Sequence, residues 1–144
     1  MGNAEIVEQW AQAVGGDWEL LRRVCQPDHV EEWHQSGERI NGLENFSAIH
    51  ENYPGGTPQS ERERVVGSED KWVLTPSFTP LRIVGTGDTY TVVAMVTYPG
   101  GQQSHLVSIV DLKDGKVARA QTFFPDAFDA PTWRAQWIER MSAP

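Results

Sequence analysis

Residues 27–42, PDHVEEWHQSGERING, decide the fold of this chain of 144 residues. Positions 29–35 alternate in character and predict a short strand. Two helical segments precede this strand and a third follows it, so we expect the strand to lie where a helix layer meets a sheet. Successive side chains of a strand point to opposite faces, which separates Glu31, Trp33 and Gln35 from Val30, Glu32 and His34.

The helices around this strand are indicated by apolar residues at helical spacing. Residues 4–14 form the first, ended by the glycine pair at 15–16. Asp17 caps a second, shorter helix that stops at Pro27, because proline breaks a helix interior. A third helix begins near Asn41 and ends before Pro54. The apolar stripes of the three helices are Ile6, Val7, Trp10 and Val14; Leu20, Leu21 and Val24; and Leu43, Phe46, Ile49 and Tyr53.

The second half of the chain is rich in strand patterns. The predicted strands are 62–67, 71–78, 81–86, 89–98, 103–112 and 117–124. The turns between the later strands are too short to hold crossover helices, so their pairing should be antiparallel. Pro131 opens a C-terminal helix, and its apolar stripe must dock on the domain or on a second subunit: Trp133, Trp137, Ile138 and Met141.

These elements predict a single α+β domain over 1–144, with a curved antiparallel sheet and helices on one of its faces. The charge of -8 opposes binding to nucleic acid, whose affinity depends on cationic side chains. No apolar run is long enough to cross a membrane, and the N-terminus lacks the pattern of a signal peptide. The single cysteine, Cys25, cannot form an internal disulfide and is expected to be a buried, inert thiol. We therefore expect a cytoplasmic protein.

Several stretches in this order resemble the cone-shaped superfamily of nuclear transport factor two, ketosteroid isomerase and the SnoaL-like polyketide cyclases. They are Gly16-Asp17, the run from Glu32 to Gly42, Asp114-Gly115-Lys116-Val117 and Phe124, while 130–137 is similar to the tail of a SnoaL-like subgroup without an assigned activity. The resemblance implies a cone of curved sheet with three helices on its concave face and a C-terminal helix. It also implies an apolar pocket between sheet and helices, and dimerisation through the outer face. It does not imply one function, because this fold carries several.

The residues that the resemblance aligns with the catalytic groups of ketosteroid isomerase differ in chemistry. The general-base aspartate falls on Trp33, the oxyanion-hole aspartate near Ser108, and the tyrosine on Gln9 or Trp10. An indole cannot replace a carboxylate as a base, so steroid isomerisation is rejected. The same alignment turns a set of side chains toward the cavity, with Tyr53 and Tyr98 at its rim: Glu31, Trp33, Ser108, Ala120, Thr122 and Phe124.

Glu31 is the candidate catalytic residue, because a carboxyl buried beside an indole has a raised pKa and can act as a general acid or base. The alternative is a glutamate at the rim, in water or paired with an arginine. His29, Glu32 and His34 could be drawn as zinc ligands, but a catalytic zinc site needs three converging ligands, and His50 or His105 would have to be recruited from elsewhere, so no metal is predicted. The candidate ligand-binding residues are Trp10, Trp33, Tyr53, Tyr98, Ser108, Thr122, Phe124 and Trp133, the last at the start of a helix that could close the mouth of the cone.

The sequence is compatible with two functions that belong to different classes of protein. The first is binding of a small, largely apolar organic molecule in the cone, with cofactor-free acid/base chemistry of the cyclase, hydrolase, dehydratase or isomerase type. The second is a non-catalytic binding or dimerisation module whose cavity is filled by its own side chains. A homodimer is expected in either case, since both faces of the hairpin at 89–112 are apolar.

Overall fold

The computed structural model describes residues 1–52, 77–97, 103–125 and 128–141. The predicted strand at 62–67 and most of the strand at 71–78 lie outside these residues, as do Tyr53 and Tyr98. The helices are α1 (Asn3–Ala13), α2 (Trp18–Val24) and α3 (Leu43–Glu51), and a 3-10 helix spans Thr132–Trp137. The strands are β1 (Cys25–Trp33), β2 (Glu38–Asn41), β3 (Ser77–Thr86), β4 (Thr89–Thr97), β5 (Gln103–Lys113) and β6 (Lys116–Phe123).

The six strands form one curved sheet in the order β2-β1-β6-β5-β4-β3. Most neighbours are antiparallel, as expected, but β1 and β6 run parallel. In this register Glu31 lies opposite Ala120, and Trp33 lies opposite Thr122, which itself lies opposite Ser108. The fold class expected from the sequence is confirmed: an α+β architecture with a curved sheet and helices on its concave face.

The strand around Trp33 begins earlier than its pattern predicts. It starts at Cys25, directly after α2, and Pro27 is an exposed residue within β1 rather than a helix stop. The turn that follows has Gly37 at a φ of 76°, a conformation that favours glycine. The chain then returns as β2, a strand that the sequence pattern does not predict. In this four-residue strand only Ile40 is buried, so the sequence has no alternating pattern there that would predict a strand.

The helices bury the apolar stripes that the sequence indicates. Asp17 caps α2 by accepting a hydrogen bond from the backbone N–H of Leu20 at 3.1 Å. Trp18 of α2 packs edge-on against Phe46 of α3, with ring centroids 5.6 Å apart. The core under the helices contains residues from α1, α2 and four strands: Ile6, Val7, Trp10, Leu21, Val24, Cys25, Val92, Val110, Val117 and Ala120. The hydrophobic burial of this concave face fixes the side on which β1 presents Glu31.

The C-terminal helix is a short 3-10 helix, and its aromatic side chains are open to solvent. Trp133 is 73% exposed and Trp137 is 71% exposed, and Ile138 and Met141 are exposed as well. Within the described residues the predicted stripe therefore covers no apolar surface of its own chain. No helix in these parts of the chain is both long enough and apolar enough to cross a membrane.

Candidate functional site

Strand β1 directs three side chains of different chemistry onto the concave face. His29, Glu31 and Trp33 occupy alternate positions and therefore share one side of the strand. His29 and Glu31 are each only 1% exposed, while Trp33 is half-buried. Polar groups this deeply buried are destabilising unless they are hydrogen-bonded, so their partners show how the site is held together.

The partners form a row that we call the buried polar chain: Ser108, Thr122, Glu31 and His29. Nε2 of His29 lies 3.1 Å from Oε1 of Glu31. The Thr122 hydroxyl donates to Oε2 of Glu31 at 3.4 Å. Because its proton is used there, Thr122 accepts from the Ser108 hydroxyl, 2.9 Å away. Three neighbouring strands thus meet at one carboxyl group, and both of its oxygens have partners.

Burial raises the pKa of the Glu31 carboxyl above its ordinary value. Removal from water disfavours the charged form, and this effect outweighs the hydrogen bonds and charge of His29, the hydroxyl of Thr122 and the indole of Trp33, which act in the opposite direction. The environment therefore favours a proton on Glu31 at a pH where an exposed glutamate would be ionised. A carboxyl group with a raised pKa is a candidate for general acid/base chemistry.

An aromatic wall lies next to the carboxyl group. The rings of Trp33 and Phe124 meet edge to face, with centroids 5.5 Å apart and planes at 90°. Phe124 follows the last residue of β6, and the Gln35 amide holds its backbone by donating to its carbonyl at 2.9 Å and accepting from its N–H. These contacts fix the position of a half-buried apolar surface beside the polar chain.

Two buried nitrogen atoms have no hydrogen-bond partner in the described part of the chain: Nε1 of Trp10 and Nδ1 of His29. An indole N–H can only donate, whereas a neutral imidazole carries one donor and one acceptor. Buried polar atoms without partners are uncommon in native proteins, and they are found at functional sites or beside water. The hydrogen-bonding capacity of these two atoms is therefore not used by the described residues.

The opposite face of β1 is charged and has a different character. Glu32 is buried between two arginines and accepts hydrogen bonds from Arg39, at 2.9 Å and 3.1 Å, and from Arg119. Burial alone would raise the pKa of Glu32, but the hydrogen bonds and charges of the two arginines outweigh it and lower this pKa. A groove of about 600 Å³ runs along this face, lined by Gln26, Asp28, Val30, Glu32, Arg39, Lys113, Asp114, Ala118 and Arg119.

The described residues offer no three converging histidine, cysteine or acidic side chains that could hold a metal ion. A second groove, of about 650 Å³, lies between β2 and α3. Neither this groove nor the charged one includes a member of the buried polar chain. The acid/base candidates are therefore inside the concave face and not in these two surface grooves.

The structure brings together most of the predicted site residues. Thr122 is hydrogen-bonded to both Glu31 and Ser108, and Trp33 contacts Phe124. Trp10 is buried under the helices, Trp133 lies exposed on the tail, and Tyr53 and Tyr98 lie outside the described residues.

Sequence reasoning missed His29 as a member of this group, because it weighed this histidine only as a metal ligand. The signal was available: His29 precedes Glu31 by two residues, so the alternation that turns Glu31 inward turns His29 inward as well. Glu31 itself is deeply buried, which distinguishes it from a rim glutamate in water.

No family model matches the chain, and no curated protein matches it. Solved structures do. An NTF-2-like protein of unknown function from Burkholderia xenovorans LB400 is 28% identical, over 97% of this chain and 95% of that one, with a TM-score of 0.71. A protein from Kribbella flavida DSM 17836, assigned provisionally as a ketosteroid isomerase, is 23% identical over 98% and 90% of the two chains, with a TM-score of 0.75.

A third similar structure, from Catenulispora acidiphila DSM 44928, has a ketosteroid isomerase-like fold and was solved in complex with trimethylamine. It is 18% identical over 82% of this chain and 83% of that one, with a TM-score of 0.55. Further similar structures are assigned provisionally as SnoaL-like polyketide cyclases or polyketide cyclases. The chain therefore has the cone fold of the NTF2-like, ketosteroid isomerase-like and SnoaL-like proteins, and the resemblance predicted from its sequence is confirmed.

Proposed function

We propose that the concave face of the sheet binds a small, largely apolar organic molecule and that Glu31, paired with His29, catalyses a cofactor-free acid/base step on it. The observation that carries this proposal is a carboxyl group 1% exposed, in contact with an imidazole and next to an aromatic wall. A core needs none of these polar groups for stability, since burying them is costly unless every one is satisfied.

The neighbouring residues suit this chemistry. A carboxyl group with a raised pKa can hold a proton at a pH where an exposed glutamate is ionised, and can give it to a leaving group or a developing alkoxide. The edge-to-face rings of Trp33 and Phe124 supply apolar contact area for the ligand. Reactions of the cyclase, hydrolase, dehydratase and isomerase types all need this combination of a proton donor or acceptor and an apolar wall.

The similar structures support the binding part of the proposal. One of them holds trimethylamine, a small molecule with three methyl groups. At least one protein of similar architecture therefore binds a small organic molecule. The ligand of this chain is proposed by its class only, as a small organic molecule of low polarity.

A ligand panel tests binding through tryptophan fluorescence and thermal stability. The panel contains lactones, phenols, polyketide-like aromatics and terpene epoxides. We expect a saturable change in emission and a raised unfolding midpoint with at least one class, because a ligand that binds only the native state stabilises it. Trp33→Ala should abolish the response, whereas Trp133→Ala should preserve it because Trp133 is exposed on the tail.

Glu31→Gln separates the catalytic part of the proposal from the binding part. The amide keeps the shape and hydrogen-bonding capacity of the carboxyl group but cannot exchange a proton. We expect it to retain ligand affinity within a few fold and to lose turnover of the ligand found in the panel. Unchanged turnover and affinity in Glu31→Gln would remove Glu31 from the mechanism.

The competing function is a non-catalytic module whose interior is filled by its own side chains. One observation favours it: both oxygens of Glu31 already have protein partners, so the carboxyl group is satisfied without a ligand. If no class in the panel changes either the emission or the midpoint, this module becomes the better explanation, and a protein partner should be sought instead.

The proposed assembly is a homodimer formed through the outer face of the sheet. Half-buried apolar side chains line that face of β4 and β5, including Val93, Val107 and Ile109. A charged residue there should prevent association, because it would be desolvated at the interface. We expect sedimentation to give about twice the chain mass of 16.1 kDa, and Ile109→Lys to give the monomer. Wild-type protein that sediments as a monomer at micromolar concentration would refute the dimer.

A further inference from the structure

One nitrogen of the buried polar chain, Nδ1 of His29, has no hydrogen-bond partner among the described residues. Oε1 of Glu31 faces His29 and Oε2 faces Thr122, so both carboxyl oxygens are occupied. Nε2 of His29 is occupied by the same contact with Glu31. Nδ1 of His29 is buried and has no partner among the described residues. A bound molecule could therefore approach Nδ1 without first breaking a hydrogen bond of the chain.

The hydrogen-bond pattern indicates which tautomer His29 adopts. If Nδ1 carried the proton, an N–H donor would be buried with no acceptor among the described residues, which is destabilising. If Glu31 is ionised and Nε2 carries the proton, Nε2 donates to Oε1 of Glu31, and only a lone pair remains on Nδ1. An unpaired buried donor is rarer in native proteins than an under-satisfied acceptor. The second tautomer leaves Nδ1 as an acceptor.

We infer that Nδ1 of His29 accepts a hydrogen bond or a proton from the bound molecule, and that Glu31 orients the imidazole. This inference rests on the proposed function of the concave face and makes it more specific. The ligand then carries a donor group, such as an alcohol or a phenol, on an otherwise apolar frame. Glu31 keeps its hydrogen bond to Nε2 while the proton arrives on Nδ1.

The proton balance of such a step is simple. A bond between the ligand's donor atom and hydrogen breaks, the hydrogen leaves as a proton, and its electron pair stays on the ligand as an oxyanion. The proton forms the Nδ1–H bond of an imidazolium, which the Glu31 carboxylate stabilises through Nε2–H. Return of the proton from Nδ1 to the product restores the neutral imidazole beside the Glu31 carboxylate, so no further reactant is needed.

The tautomer can be measured in the free protein, without any ligand. Histidine labelled with ¹⁵N throughout its ring gives distinct signals for protonated and bare nitrogens, and the chain has only four histidines. His34→Gln, His50→Gln and His105→Gln each remove one set of signals and thereby assign that of His29. We expect a protonated Nε2 and a bare Nδ1 at neutral pH. A protonated Nδ1, in either the neutral ring or the imidazolium, would overturn the inference.

A pair of probes then tests contact with the ligand. Phenol and toluene have almost the same shape, but only phenol carries a donor. We expect phenol to bind about tenfold more tightly than toluene, as one hydrogen bond to a buried acceptor predicts, and to shift the Nδ1 signal. The affinities are measured by titration followed by NMR.

His29→Gln and His29→Asn are the matched variants. A glutamine amide reaches roughly the place of Nε2 and still donates to Glu31, whereas an asparagine amide reaches roughly the place of Nδ1. If His29 only supports the fold, His29→Gln keeps the preference for phenol, and this result would overturn the inference. We expect His29→Gln to fold and lose the preference, and His29→Asn to retain part of it.

Failure of the two proposals can be told apart. If neither phenol nor toluene binds, the proposed ligand class is wrong, and the tautomer measurement still decides whether Nδ1 is the open acceptor. If both bind with equal affinity while Nδ1 is bare, the concave face holds apolar molecules but His29 does not contact their donor group, which refutes the inference alone.

Discussion

Ser108 and Thr122 face each other across β5 and β6, and their hydroxyl oxygens are 2.9 Å apart on the concave face of the sheet. Both residues are buried. Because the Thr122 hydroxyl donates its hydrogen bond to Glu31, the pair links a central strand of the sheet to the carboxyl group on β1. The position of Glu31 therefore depends on residues more than seventy positions away in the sequence.

Thr122→Val should destabilise the protein by about 1–2 kcal/mol, since it keeps the shape of threonine but removes a donor and an acceptor from buried partners. Urea unfolding at neutral pH measures the change. Thr122→Ser is the matched control, because it keeps the hydroxyl and loses only a methyl group. Equal losses in the two variants would mean that the methyl group matters here and the hydrogen bonds do not.

Glu31→Gln should change how stability depends on pH. The folded pKa of Glu31 is raised above its ordinary value of 4.5, so the folded state holds its proton at a pH where the unfolded state has lost it. In the wild type this group therefore lowers stability as pH rises from about 4.5 to the raised pKa. Glu31→Gln removes this loss, so its stability relative to wild type should increase with pH over that window and then stay level.

The measurement is the free energy of unfolding in urea between pH 4 and pH 8, on the wild type and the variant together. Glu38→Gln on exposed β2 is the control for loss of one carboxylate. A difference between Glu31→Gln and wild type that does not vary with pH would contradict the raised pKa.

Glu32→Gln should act with the opposite sign. The folded pKa of Glu32 is lowered, so its contribution to stability is present above the ordinary pKa of 4.5 and is lost as pH falls through the folded pKa. The variant should lose about 1 kcal/mol at neutral pH, a modest amount because Arg39 and Arg119 are 65% and 45% exposed. On acidification, the free energy of unfolding of the variant should fall by less than that of the wild type. The unfolding midpoint of both proteins is measured as the pH is lowered. The same fall in midpoint for the variant and the wild type would contradict the lowered pKa.

The Cys25 thiol should be unreactive in the native protein. It is 1% exposed, and burial, together with the nearby Glu31, raises its pKa well above the ordinary value. Because the thiolate is the nucleophile, iodoacetamide should modify Cys25 only when the protein opens. The rate of modification should therefore rise steeply through the urea transition. Rapid alkylation without urea would show that the junction of α2 and β1 opens locally.

Much of the fold follows from local patterns in the sequence. The apolar stripe of α1 and the alternation in β4, β5 and β6 are patterns among residues close together in the sequence. The structure has these four elements close to their predicted bounds. Strand β2 was missed because its four residues include a single buried side chain, Ile40. The parallel pairing of β1 with β6 was missed because it joins segments that no turn connects.

The candidate site was predictable in part for the same reason. Alternation along β1 placed Glu31 and Trp33 on one face, and the family resemblance turned Ser108 and Thr122 toward them. The bond between His29 and Glu31 is a matter of side-chain rotamers, and the partners of Nδ1 depend on packing across elements. Neither can be derived from spacing. The exposure of Trp133 depends on where the tail lies, which an amphipathic pattern does not specify.

The parallel pairing of β1 with β6 also has a consequence for biosynthesis. As the chain emerges from the ribosome, β1 appears early, but its parallel neighbour is nearly the last strand to be made. Before β6 is made, Glu31 has neither Thr122 nor the central strands of the sheet beside it. One edge of β1 is then unpaired and can pair with other chains. The polar site is therefore assembled only after translation of β6, and a nascent chain stalled before that strand should depend on chaperones to stay unaggregated.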